Sequence, residues 1–118
     1  MEVPLTVQRV EKYTVVEFKT NSLMDQLDLQ NVSDALYHLV DNEDRRTIIL
    51  DFERVQYLSS QAIGIVINLQ KKLAKLPHSK MVLCSVGPKL MELLKITRLD
   101  KVMTIRASQK EAIKVFVE

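Results

Sequence analysis

Apolar residues recur along this chain with two periods, and the places where one gives way to the other mark its elements. Residues 13–18 (YTVVEF) are β-branched and aromatic, and Thr6, Gln8 and Val10 begin a short alternating segment before them. Separated by Glu11 and Lys12, the two runs predict a hairpin of strands. The spacing then lengthens. Leu29, Val32, Leu36, Leu39 and Val40 fall at steps of three and four with polar residues between them. That pattern predicts an amphipathic helix starting near Asp25 to Asp28 and ending near Asn42. Its Asp-rich beginning suits the positive end of the helix dipole.

Residues 46–52 (RTIILDF) form a continuous apolar run, as expected of a strand covered on both faces. A turn at Glu53 and Arg54 and a short apolar stretch, residues 55–58, lead to a long helix. It opens around Ser59 and Ser60 and runs to about Leu76, where Pro77 stops it. Residues 81–86 read as a second buried strand, and Gly87-Pro88 turns the chain into a short helix over residues 89–96. Residues 101–105 make a last strand. Ser108 with Glu111 is a capping-box pattern opening a final helix that carries Ala112, Ile113, Val115 and Phe116. The order β-β-α-β-α-β-α-β-α predicts one α/β domain over residues 1–118. It has a central sheet of about five strands, parallel in the crossovers and mixed because of the first hairpin, with helices packed on it.

Composition removes several function classes. Lys plus Arg is 17 against 15 Asp plus Glu, a net charge of +2. This gives no electrostatic case for nucleic acid or an anionic membrane as the main partner. Lys71, Lys72 and Lys75 read as a solvated helix face. No apolar run is long enough to span a bilayer, and the first residues lack the charged-then-apolar order of a signal peptide. Cys84 is the one cysteine, so no intrachain disulfide and no cysteine zinc cluster can form, and it reads as a small apolar strand residue. A cytoplasmic protein with no metal and no cofactor is expected.

The informative stretch is residues 51–77. Ser59 is placed as N-cap, accepting from the backbone N–H of Gln61 or Ala62. Leu58 and Ile63 would then form a hydrophobic staple across it. Ser60 becomes the first helical residue. Stepping 100° per residue puts Ala62, Val66, Leu69, Leu73 and Leu76 on the stripe facing the sheet, with Ser60 roughly opposite. Gly64 and Lys71 share its side, and Ile63 and Ile67 lie toward the flank. Two readings of those isoleucines stay open: packing under a neighbouring helix, or a flat apolar docking surface with a hydroxyl at its head. Gly64 inside a helix costs roughly 1 kcal/mol against alanine, so close approach by another helix, of this chain or a partner, is expected there.

This stretch resembles STAS domains, typified by bacterial anti-sigma factor antagonists, which carry Asp-Ser-[Ser/Thr]-Gly-[Leu/Ile]-Gly after a buried strand. Here it reads Ser59-Ser60-Gln61-Ala62-Ile63-Gly64, similar to a Leu-Ser-Ser variant of that site. The LDF and KMVLCSV strands, the ITRLDKV segment and the closing helix follow the family's order over nearly the whole chain. Ser59 replaces the family's aspartate, Gln61 its Ser/Thr and Ala62 its first glycine. The resemblance implies a non-enzymatic regulatory binding module whose phosphorylated serine is Ser60, with Ser59 second. It implies a GHKL-type serine kinase acting as anti-sigma factor, or a related regulator, as partner. Ser59, Ser60, Ile63, Gly64 and Ile67 would make the contact, joined by Asn21 and Ser22 in a neighbouring loop. An exposed Ile63/Ile67 patch would also permit weak homodimers.

The rival readings are a ligand- or nucleotide-sensing module of the same fold, a constitutive scaffold whose serines only cap, and an enzyme. The two glycines, Gly64 and Gly87, are far apart and make no phosphate loop. No G-x-S-x-G surrounds Ser60 and no S-x-x-K begins at either serine. His38 and His78 have no triad or metal-ligand spacing. Glu43, Asp44 and Glu53 read as loop carboxylates, and Asp51 as the anchor of the turn that follows it.

Overall fold

A computed structural model describes residues 4–10 and 12–117. Strands β1 (Leu5–Arg9) and β2 (Thr14–Phe18) pair antiparallel, with Leu5 opposite Phe18. Val10 and Tyr13 close the turn between them by exchanging backbone hydrogen bonds. Glu11, which the sequence places in this turn, lies outside the described residues. The chain continues through β3 (Ser22–Leu23), α1 (Gln26–Asp41), β4 (Thr47–Asp51), β5 (Tyr57–Leu58), α2 (Ser60–Ala74), β6 (Lys80–Cys84) and α3 (Pro88–Ile96). A 3₁₀ turn (Leu99–Lys101), β7 (Thr104–Arg106) and α4 (Gln109–Val117) complete it. The main sheet has five strands in the order β1-β2-β4-β6-β7, parallel from β2 onward. The predicted mixed sheet and helix order are therefore present.

Alternation along the central strands explains their continuous apolar character. Ile48 and Leu50 of β4, with Met81 and Leu83 of β6, enter a core shared with α1, α2 and α3. Ile49 of β4, with Val82 and Cys84 of β6, points the other way and packs with Ala112 of α4. Successive side chains of a strand face opposite sides, so a strand covered by helices on both sides needs apolar residues at every position.

The element ends obey their local chemistry. Asp25 caps α1 by accepting from Asp28 N–H at 3.0 Å, and Ser108 does the same for α4 from Glu111 N–H at 3.2 Å. Two features differ from the expectation. Residues 101–105 do not form one strand: Leu99–Lys101 is wound into the 3₁₀ turn, and β7 starts only at Thr104. β3 and β5, two residues each, pair with one another and stand outside the main sheet. Strands this short carry no readable period.

Candidate functional site

The β3–β5 ladder builds the start of α2. Asn21 C=O accepts from both Gln56 N–H (2.8 Å) and Tyr57 N–H (3.1 Å), and Leu23 C=O accepts from Ser59 N–H (3.1 Å). Because the two strands are parallel and each leads within three residues into a helix, the ladder sets the N-termini of α1 and α2 side by side. Upstream, Asp51 Oδ1 accepts from Glu53 N–H at 2.9 Å, the turn anchor expected of it. Asp51 Oδ2 and Glu17 Oε1 both accept from the Gln109 amide of α4. That amide, followed by Lys19, holds the Glu17 carboxyl below its usual range. This cluster ties the carboxyl ends of β2 and β4 to the start of α4, on the sheet face away from Ser60.

The two serines divide the work at the helix start. Ser59 has extended backbone and its hydroxyl accepts from Ala62 N–H at 3.1 Å, the N-cap arrangement. Ser60 is the first helical residue and is exposed. Leu58 and Ile63, the two ends of the expected staple, line one small apolar gap with Val66, Leu90 and Leu94.

The buried stripe of α2 is Ala62, Ile65, Val66, Leu69 and Leu73. Ile65 joins it, at the edge toward α1, and Leu76 falls past the helix end, half-buried. Ile63 leans toward α3 and is half-buried, so the first of its two readings holds in part. Ile67 is also half-buried, against the core. Neither is wholly covered. Gly64 is free on its outer side: a Cβ added there would meet nothing within 4 Å. The close approach that would favour glycine is not made by this chain's described residues.

Asn21 is exposed, and Ser22 is half-buried with its N–H and C=O both bonded to the Thr20 hydroxyl. The structure therefore brings the residue 20–23 loop to the start of α2, where Asn21 and Ser22 were expected. It adds three residues the sequence reading passed over. Met24 is 56% exposed, Leu27 49% and Tyr57 46%. Met24 and Leu27 lie between β3 and the first turn of α1, whose start the ladder sets next to that of α2. A signal for Leu27 existed: it sits about 200° around the α1 helix from Leu29, off the apolar stripe.

Other candidates have structural roles. Glu43 pairs with Arg9 at 2.6 Å and His38 at 3.3 Å, and Arg9 holds the Glu43 carboxyl below its usual range. Lys72 pairs with Asp41 at 3.0 Å. Cys84 is fully buried, and burial pushes its thiol up to about 12, so it stays an unreactive thiol at neutral pH. Among the described residues no group of three or more His, Cys, Asp or Glu could hold a metal. No helix among them is long and apolar enough to cross a membrane.

The comparisons with known proteins agree with this geometry. The STAS domain family model matches residues 6–112. An anti-sigma-factor antagonist (STAS) domain protein from Planctomyces limnophilus superposes with a TM-score of 0.85 at 19% identity, over 98% of this chain and 99% of that one. An anti-sigma factor antagonist from Mycobacterium paratuberculosis gives 0.84 at 18% identity, over 97% and 93%. The Bacillus cell fate determinant SpoIIAA, solved in its phosphorylated form, gives 0.73 at 19% identity, over 93% and 96%. At these identities the structures share the fold, and the family match extends that likeness to the sequence. From the sheet order, the serine-capped second helix and the match over nearly its full length, the chain belongs to the STAS domain family.

Proposed function

We propose that this chain is a cytoplasmic, non-enzymatic regulatory module that docks a serine-kinase, anti-sigma-type partner on the N-terminal face of α2 and is released by phosphorylation of Ser60. The observation that carries the reading is the division between the serines: Ser59 holds the cap, so the Ser60 hydroxyl stands exposed at the first helical position. A phosphate there adds about −1.5 to −2 charges at the positive end of a 15-residue helix. The domain itself tolerates that charge. A partner seated over Ser60, Gly64 and the exposed parts of Ile63 and Ile67 does not, because the charge would be desolvated in an apolar contact.

Two further features support it. Gly64 weakens the helix by roughly 1 kcal/mol relative to alanine and relieves no crowding among the described residues, as suits a position that another helix approaches. Met24 and Leu27 widen the apolar ground around Ser60 beyond the isoleucines, and Asn21 and Ser22 form its polar edge. A SpoIIAA structure in phosphorylated form exists, so this fold accommodates a phosphate. The gap between α2 and α3 beneath Ile63 offers only about 10 Å³, room for one water at most.

The test measures affinity for the partner co-purified from the native cell, using wild type, Ser60→Ala and Ser60→Asp. Ser60→Ala should bind as wild type does, and Ser60→Asp about tenfold or more weaker, the size expected for a misplaced interfacial charge. Equal affinities in all three refute the switch. Mapping of the modified residue by intact mass should find the phosphate on Ser60, ahead of Ser59.

A further inference from the structure

The net charge of +2 conceals two unequal parts. Residues 54–101 contain nine Lys and Arg against two Asp and Glu, while the rest of the chain has eight against thirteen. Three of these cations surround the turn after α3. The two most exposed large apolar side chains among the described residues, Ile96 (72%) and Val102 (62%), flank the 3₁₀ turn after α3. Lys95, Arg98 and Lys101 stand beside them, exposed, and none takes part in an ion pair among the described residues. Gln70 Nε2 donates to Val102 C=O at 2.8 Å, fixing the turn against α2. The last turn of α2 adds Lys71 and Lys75, also exposed and outside those pairs. The acids nearby are Glu92, one turn back on α3, and Asp100 within the 3₁₀ turn.

Lysine near a helix C-terminus complements the dipole, which accounts for Lys75 and Lys95. It does not account for two protruding aliphatic side chains at the same corner. Nor does it account for Arg98, whose backbone is left-handed (φ 63, ψ 17), a conformation that suits glycine at this place after a helix. A long cation is held where local structure favours no side chain. The corner is formed by a helix end and the turn beyond it, with one exposed aliphatic side chain on either side of that turn. Projecting aliphatic groups ringed by unpaired cations complement an anionic lipid surface, where the chains enter the interface and the cations meet headgroups.

We infer that this corner is a weak, reversible contact site for anionic membrane surfaces. It lies about 16 Å along α2 from Ser60 and is independent of the docking face proposed above. The uneven charge would orient the domain, its basic side toward the lipid.

Sedimentation of the full chain with vesicles tests it, comparing phosphatidylcholine alone with phosphatidylcholine and phosphatidylglycerol at about three to one. Binding is expected to the anionic vesicles only, and to vanish as salt rises from about 0.05 M to 0.5 M. Joint replacement of Lys95, Arg98 and Lys101 by Gln should lower the partition about a hundredfold. Ile96→Ser with Val102→Ser should lower it about tenfold. Ser60→Ala should leave it unchanged, which separates this site from the proposed switch. Arg98→Gly gives readouts of opposite sign: the melting temperature rises by about 3 °C while the partition falls about fivefold. No binding to anionic vesicles at low salt overturns the inference, as does binding that all these variants retain. Capture of an acidic protein through the same residues, with vesicles ignored, overturns it as well.

Discussion

The inner and outer sides of α2 are made by the same 15 residues and obey different rules. Ala62, Ile65, Val66, Leu69 and Leu73 face the sheet and are set by packing. Ser60, Gly64 and Lys71 face outward, with Ile67 on the flank half-buried against the core, and nothing among the described residues requires a serine or a glycine there. The contrast shows where to look for function. On the inner side every residue type has a sufficient structural cause. On the outer side a helix-weakening glycine and an exposed hydroxyl have none among the described residues, and the proposed docking face supplies one.

Leu69→Ala should produce the largest break, because Leu69 is fully buried. Removing it leaves a cavity and should destabilise by about 2–5 kcal/mol, read from the midpoint of urea unfolding. The serine pair comes next and sets the two sides against each other directly. Ser59→Ala removes the cap and should cost about 1 kcal/mol, whereas Ser60→Ala should stay within about 0.5 kcal/mol. Equal losses at the two positions would end the claim that the serines divide their roles.

A pH test sharpens the inner side. The Cys84 thiol, ordinarily near 9.0, is raised to about 12 by burial, with Asp51 adding to the effect. The unfolded thiol ionises first as pH rises, so this group's stabilisation is complete below pH 9 and is lost between there and 12. Relative to a Cys84→Ala variant, wild type should lose about 1 kcal/mol between pH 8 and pH 10, measured by denaturant unfolding at each pH.

Gly64→Ala should have the smallest effect on the fold and the most telling sign. With open space around the added methyl, stability should rise by up to about 1 kcal/mol. Partner affinity should fall in the same variant if a helix approaches there. A gain in stability with unchanged affinity would move the docking face away from Gly64.

Much of this was legible from residue order. The runs YTVVEF, TIILD and KMVLC announce strands because buried strands need apolar residues at every position. The N-cap role of Ser59 could be read because capping depends on residues within one turn. The charge asymmetry was also present in the sequence, but a single net value concealed it. Illegible were β3 and β5, whose pairing joins residues 35 apart, and with them the placing of the start of α1, with Met24 and Leu27, next to the start of α2. The end of the 3₁₀ turn was missed because Lys101, Val102 and Met103 fit the start of a short strand equally well by pattern.

Local order thus determined the strands of the main sheet, the four helices, their sequence along the chain and the outward heading of Ser60, since periodicity and capping act over a few residues. Tertiary structure decided how much of Ile63 and Ile67 remains uncovered and which loops meet at the head of α2. It also decided that none of the described residues touches Gly64 on its outer side. Those are matters of distance between segments far apart in sequence, and they emerge only when both faces of the sheet have been covered.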